Sequence, residues 1–157
     1  MRGWRHDLHR RPELRFKEER TSDYLAEILT GLGLTPVRGI GGTGVVASIR
    51  CGDGDRAIGL RADMDGLPLD EQTGREWSSE HPGAMHACGH DGHMAMVLGA
   101  AAVLAEEGGF DGTVHVVFQP AEEHGLGATL RATIVWSARM ISAATTIGST
   151  TICGWDE

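Results

Sequence analysis

Positive charge, long apolar stretches and paired cysteines are all in short supply in this chain of 157 residues. Its 14 Lys and Arg face 22 Asp and Glu, giving a formal charge of -8 with the histidines neutral. That balance argues against nucleic acid and against an anionic membrane as partners, because either needs a positive patch to neutralise phosphates or headgroups. The one basic cluster, Arg5 to Arg15, is interrupted by Asp7 and Glu13. No apolar run approaches the roughly 18 residues of a membrane span, and MRGWRHDLHRR at the N-terminus lacks the apolar centre of a signal peptide. A cytoplasmic location is the expectation. Cys51, Cys88 and Cys153 are too widely spaced for a disulfide framework, so each needs its own explanation.

What is present is ordinary globular material, 41% hydrophobic and 23% charged, in a length that suits one domain. The charge is unevenly spread. Beyond Gly125 the only charged residues are Arg131, Arg139, Asp156 and Glu157, which cancel, so the whole acidic excess lies in residues 1–125. All eight histidines lie there too, at 6, 9, 81, 86, 90, 93, 115 and 124. Residues 126–157 are rich in Thr, Ser, Ile and Ala instead.

Periodicity gives a coarse element order. Tyr24, Leu25, Ile28, Leu29 and Leu32 recur at spacings of three and four, which predicts an amphipathic helix over 18–32, with Gly31 and Gly33 at its end. Two β-rich runs follow, 45–50 and 57–62, joined by Cys-Gly-Asp-Gly-Asp-Arg. They read as an antiparallel hairpin with Cys51 in its loop. Residues 66–87 carry turn formers and little periodicity, the mark of a long loop of the kind that is commonly functional. The segment 93–107 is apolar on nearly every face, which implies a helix buried within a layered fold. TVHVVF at 113–118 reads as a strand halted by Gln119-Pro120. The order implies an α/β fold with chemistry at strand ends.

Three clusters sit at such ends: Arg61-Ala-Asp63-Met-Asp65-Gly, His86-Ala-Cys88-Gly-His90-Asp91-Gly-His93 and Gln119-Pro-Ala-Glu122-Glu123-His124. Cys88 and His90 offer a thiolate and an imidazole two residues apart, a pairing that suits zinc and related divalent metals. Gly89 permits the tight backbone between them, and the positive end of the following helix is expected to lower the Cys88 pKa. Pro120 makes a turn that lets Glu122 and Glu123 take different tasks, one binding metal and the other moving a proton. Each motif alone has a blander reading. Cys-x-His is often merely buried, Glu-Glu is most often a solvated turn, and Asp63 and Asp65 can be strand-end caps. For His86, His93 and His124 a loop or supporting role is at least as well founded as ligation. It is the convergence of three such strand ends that weakens the blander readings.

With these residues in view, residues 5–125 resemble the N-terminal part of the M20 metallopeptidase family, in its amidohydrolase branch of hippurate hydrolases, N-acyl-amino-acid deacylases and auxin-conjugate hydrolases. The resemblance rests on LHRRPELRFKEERTSDYL, GIGGTGVVASI, LRADMDGLPLDEQTG, HACGHDGHMAMVLGAA and VVFQPAEEHGLGA. It implies a three-layer α/β/α zinc-exopeptidase-like catalytic domain. Cys88, His90 and Glu123 become metal ligands and Glu122 the general base. Asp63, Asp65 and Asp91 take supporting parts, Asp65 standing where relatives place an aspartate that orients a metal-binding histidine. The implied cofactor is a divalent metal (Zn, Mn, Co or Ni), two per site in full-length relatives. The implied reaction is hydrolysis of a small N-acyl amino acid, by relatives expected to be homo-oligomers.

The resemblance stops near residue 125. Relatives continue with further ligand histidines and a separate lid and dimerisation domain, whereas LRATIVWSARMISAATTIGSTTICGWDE carries no histidine. The expectation is therefore an incomplete catalytic domain over 1–125, inactive alone, followed by a divergent tail over 126–157 that a frameshift would explain. A natural divergent C-terminus is the competing reading. Such a piece would leave the apolar helix at 93–107 partly uncovered. The alternative function is a non-catalytic metal-binding or interaction fragment.

Overall fold

The computed structural model describes residues 1–124. In chain order these form α1 (Arg2–Arg10), α2 (Glu19–Gly31), β1 (Val37–Ile40), β2 (Gly44–Cys51), β3 (Ala57–Asp63), α3 (His90–Glu107) and β4 (Gly112–Gln119), then a short 3-10 turn at Glu122–His124. The tail over 126–157 lies outside the described residues. No helix among those described is long and apolar enough to cross a membrane.

The α/β class holds: four strands form one mixed sheet in the order β1-β2-β4-β3. The hairpin expected of β2 and β3 does not. β4 lies between them, antiparallel to β2 and parallel to β3, so β3, α3 and β4 make a crossover unit. The residues account for this choice. β4 is buried along most of its length and takes an interior place in the sheet, whereas β3 exposes Ile58 and Arg61, as an edge strand can. The 52–56 connection turns aside to hold the start of β4 instead of pairing β3 with β2. Gly54 N–H donates to Asp111 Oδ1 at 2.6 Å and Thr113 N–H to Arg56 O at 2.9 Å. Cys51 ends β2 opposite Gly112 and is buried, so it is a strand residue, not the loop residue expected.

Among the described residues the helices cover one face of the sheet. Val45, Ala47 and Ile49 of β2 and Val116 and Phe118 of β4 meet Leu25 and Leu29 of α2 and Met94 and Leu98 of α3 in a single core, with Leu8 of α1 packed alongside. Each fully buried Leu of this kind contributes roughly 2 kcal/mol. The end of α2 is set by Gly33 at φ +78. It lets Leu34 N–H reach Leu29 O at 3.0 Å and Gly33 N–H reach Thr30 O at 2.9 Å, closing the last carbonyls as Leu34 folds into the core. α3 begins at His90, one turn earlier than periodicity suggests, from Gly89 at φ +81. It is not buried all round: Met94, Leu98 and Ala101 face the core, while Met96 is 62% and Val103 52% exposed.

Candidate metal centre

The C-terminal ends of the parallel pair β3 and β4 meet the start of α3, the place where α/β sheets offer ligands their crevice. Asp63 ends β3 opposite Gln119 at the end of β4. Asp65 follows two residues on, and the turn after β4 brings the Glu122 and Glu123 N–H groups to its carboxylate. Cys88 and His90 arrive from the loop before α3.

His90 is the centre of the cluster and is 4% exposed. Its Nδ1 lies 2.8 Å from the Asp65 carbonyl, a bond that needs the proton on Nδ1 and leaves the Nε2 lone pair free. Nε2 faces Asp63 Oδ1 at 3.7 Å, Glu123 Oε1 at 3.7 Å and Glu122 Oε2 at 3.8 Å. None of these is a hydrogen bond. The Cys88 sulfur, a ring nitrogen of His90 and a Glu123 oxygen lie within 4.8 Å of one another. One thiol, one imidazole with its tautomer fixed and one carboxylate form a donor set that zinc and its neighbours accept. Two ligand atoms 3.7 Å apart suit an ion bonded at about 2.0–2.3 Å to each. The residues fit a divalent metal.

Asp63, His90 and His93 form a second group within the same distance. It is already partly satisfied. His93 Nδ1 sits 2.7 Å from Asp63 Oδ1, and Arg61 Nη1 donates to Asp63 Oδ2 at 2.8 Å. One Nε2 lone pair binds one ion, so the two groups compete for His90; in the Cys88 group the thiol bonds to the Glu123 carboxylate, a bond that thiolate formation at a bound ion would release. Burial pushes the Asp63 and Asp65 carboxyls up, but bonds from His93 to Asp63 and from His90 to Asp65 outweigh it and hold both below the usual range. Burial lowers the His90 pKa, and the Asp65 and Asp63 carboxylates more than reverse that.

The helix end does not lower the Cys88 pKa, contrary to expectation. The thiol is pushed up to about 11, first by its hydrogen bond to the Glu123 carboxylate, with the Glu122 and Asp63 charges adding to it. Three carboxylates nearby disfavour a further negative charge on the sulfur. A cation in their midst inverts that field and favours the thiolate.

The turn bearing Glu122 and Glu123 is held by backbone hydrogen bonds to two buried carboxylates. Asp65 Oδ1 accepts Glu122 N–H at 3.0 Å and Asp65 Oδ2 accepts Glu123 N–H at 3.1 Å. Glu18, at the start of α2 and 0% exposed, accepts Ala121 N–H at 3.0 Å and the Thr43 hydroxyl at 2.6 Å. Ala121 itself has φ +54, an uncommon conformation for a residue with a Cβ. Gly44 makes room for the turn: a Cβ there would lie 3.1 Å from Pro120 Cδ and 2.3 Å from Ile40 O.

Asp91 points away from this cluster. Its Oδ2 accepts from His9 Nδ1 at 2.9 Å and Arg5 Nε at 3.0 Å, and His9 Nε2 lies 3.2 Å from Glu71 Oε2 in the long loop. Burial acts to raise the Asp91 pKa, but the bonds from His9 and Arg5 bring it down to about 2. The bond to Asp91 raises the His9 pKa in spite of burial. His86 is buried beside this network with no hydrogen-bond partner on either ring nitrogen among the described residues, and burial lowers its pKa to about 4. Glu18, His9 and Glu71 were not singled out by sequence reasoning. Glu18 stands in a charged run, Lys17 to Arg20, that resembles a solvated helix start. Nothing in the pattern around His9 or Glu71 pairs them. His124 closes the 3-10 turn.

The model of peptidase family M20/M25/M40 matches residues 59–151. A hippurate hydrolase of Campylobacter jejuni is 48% identical over 123 residues, 78% of this chain and 32% of its own. An N-acyl-L-amino acid amidohydrolase of Geobacillus stearothermophilus is 41% identical over 122 residues, 77% of this chain and 33% of its own. Among solved structures, the YXEP protein of Bacillus subtilis, described as a dinuclear metal-binding peptidase, superposes with a TM-score of 0.79 at 36% identity, covering 88% of this chain and 38% of its own. The chain thus spans a third or less of the length of the curated relatives it matches.

Proposed function

The chain belongs to peptidase family M20/M25/M40, and from that premise we propose that it forms the metal-binding part of an amidohydrolase that cleaves N-acyl amino acids. The observation that carries the reading is the His90 Nε2 lone pair, freed by the Asp65 carbonyl and facing carboxylate oxygens 3.7–3.8 Å away without bonding to any. Cys88, His90 and Glu123 hold the ion, which is Zn, Mn, Co or Ni by donor type. When bound, it polarises the substrate carbonyl and acidifies water. Glu122, its side chain 41% exposed, takes a proton from the attacking water and returns it to the leaving amine. Asp65 fixes both the His90 tautomer and the backbone of Glu122 and Glu123. Asp63 holds His93 and Arg61 at the rim, and Asp91 anchors the start of α3. Names of relatives that act on hippurate and N-acyl-L-amino acids support the substrate class. A cytoplasmic location and homo-oligomeric relatives remain part of the proposal.

A chimera tests it. Residues 59–124 replace the matching segment of the Campylobacter jejuni hippurate hydrolase. Metal-dependent hydrolysis of N-acyl amino acids is expected. Glu122→Gln within it should lower kcat by about 100-fold or more with metal binding retained. A folded, metal-loaded chimera without activity contradicts the proposal.

For the chain alone, metal binding without turnover is proposed, with 1–125 as the hydrolase part and 126–157 as a divergent tail. Reading the coding DNA beyond codon 125 in all three frames tests that division. Exposed Ile58, Met96 and Val103 favour a second reading, an interaction fragment that retains metal. Heavy oligomerisation on size-exclusion chromatography supports it, and a metal-free monomer counts against it.

A further inference from the structure

The turn that carries the proposed base and ligand rests on a contact from a distant part of the chain. Three successive N–H groups, of Ala121, Glu122 and Glu123, are each held by a carboxylate. Asp65, two residues beyond the end of β3, holds the second and third. The first is held by Glu18, 103 residues away in sequence, whose other oxygen takes the Thr43 hydroxyl. Both oxygens of Glu18 are therefore committed, and the side chain has no exposure to solvent. Among the described residues neither of these bonds reaches a side chain of the cluster around His90. It grips the one non-glycine residue of the turn that adopts a positive φ, Ala121 at +54.

Removing the acceptor at Glu18 would leave the Ala121 N–H buried and unpaired. Such a group is relieved by rotating its peptide. Rotation about Ala121 returns it to the region a Cβ prefers and swings the two residues that follow. The geometry points to Glu18 as a positioning residue of the metal centre: through Ala121 it sets where Glu123 meets the ion and where Glu122 stands beside it. This inference rests on the metal centre proposed above, and its test separates the two.

The test is a cobalt titration of the full chain followed by absorption. Wild type is expected to bind Co²⁺ with a thiolate-to-cobalt band, and Cys88→Ser to lose the band. Glu18→Leu keeps most of the side-chain bulk but accepts no hydrogen bond. It is expected to weaken Co²⁺ binding by about 10- to 100-fold, the range for partners that orient ligands, and to alter the visible spectrum. Glu18→Gln, whose amide oxygen still accepts from Ala121, should stay close to wild type. Adding Ala121→Gly to Glu18→Leu should worsen binding further or leave it low, because glycine frees the turn instead of restoring its hold. Glu18→Leu that is folded by circular dichroism and binds Co²⁺ with wild-type affinity and spectrum overturns the inference while leaving the metal centre in place. A wild-type chain without the thiolate band, or Cys88→Ser that binds as well as wild type, overturns the metal centre and this inference with it. If Glu18→Leu does not fold, Thr43→Val takes its place. It strips the same carboxylate of its other donor, so weaker Co²⁺ binding supports the inference and unchanged binding overturns it.

Discussion

His90 and Asp91 are consecutive residues at the start of α3, yet they enter two unlike clusters. Around His90 the imidazole Nε2 faces three carboxylates at 3.7–3.8 Å and bonds to none. Around Asp91 one carboxylate oxygen, Oδ2, accepts from both His9 and Arg5 at 2.9–3.0 Å, and His9 turns its other nitrogen to Glu71. Both clusters set a His among acidic residues, so those two residue types do not separate them. Separation does. Carboxylates gathered around a lone pair repel one another; His93 and Arg61 offset part of this at Asp63, and a cation in their midst offsets the rest. In the closed cluster Asp91 Oδ2 and Glu71 each meet His9 directly, while Asp91 Oδ1 stays buried with no hydrogen-bond partner among the described residues.

The largest expected effect comes from breaking the closed cluster. Asp91→Ala strips buried His9 of one carboxylate and leaves Glu71 as its remaining charged partner. Removal of one member of a buried pair costs about 3–5 kcal/mol, readable in urea denaturation. A cost below about 1 kcal/mol, the level of an exposed ion pair, would mean that the closed cluster is not structural.

A smaller effect, with a distinctive pH signature, is expected at His9. It faces Asp91, Glu71, Arg5 and His86, and its folded pKa is raised above 6.5 chiefly by the bond to Asp91. The charged form is thus favoured by folding. Its contribution is complete below pH 6.5 and is lost as pH rises through the folded value. The stability gap between wild type and His9→Gln should be constant on the acid side of pH 6.5 and narrow above it. A gap that widens with rising pH would contradict the assignment of charge to this ring.

The open cluster was far more legible in the sequence than the closed one. Cys88, His90, Glu122 and Glu123 lie in short motifs whose residue types carry chemistry; the convergence of those motifs made them candidates, and the resemblance to the M20 family implied their roles. His9, Glu71 and Asp91 are joined across 62 and 82 residues, and Glu18 meets Ala121 across 103. No local pattern records such pairings. The same limit applies to the sheet. Alternation in 45–50 and 57–62 identifies strands, but their mutual pairing depends on where β4 returns after α3. It was decided by the apolar character of β4 and the glycine-rich approach to Asp111, not by the closeness of the two strands in sequence. The Cys88 expectation failed for a related reason: the helix terminus is local, whereas Glu123 comes from another element.

The most direct test is the zinc affinity of the chain, measured by competition with a chromophoric chelator for wild type, Cys88→Ser and His93→Ala. The open cluster of Cys88, His90 and Glu123 predicts one zinc held by wild type, a loss of more than about 100-fold in Cys88→Ser, beyond that typical of an outer partner, and little change in His93→Ala. Zinc binding that survives Cys88→Ser, or that is abolished by His93→Ala, would contradict it.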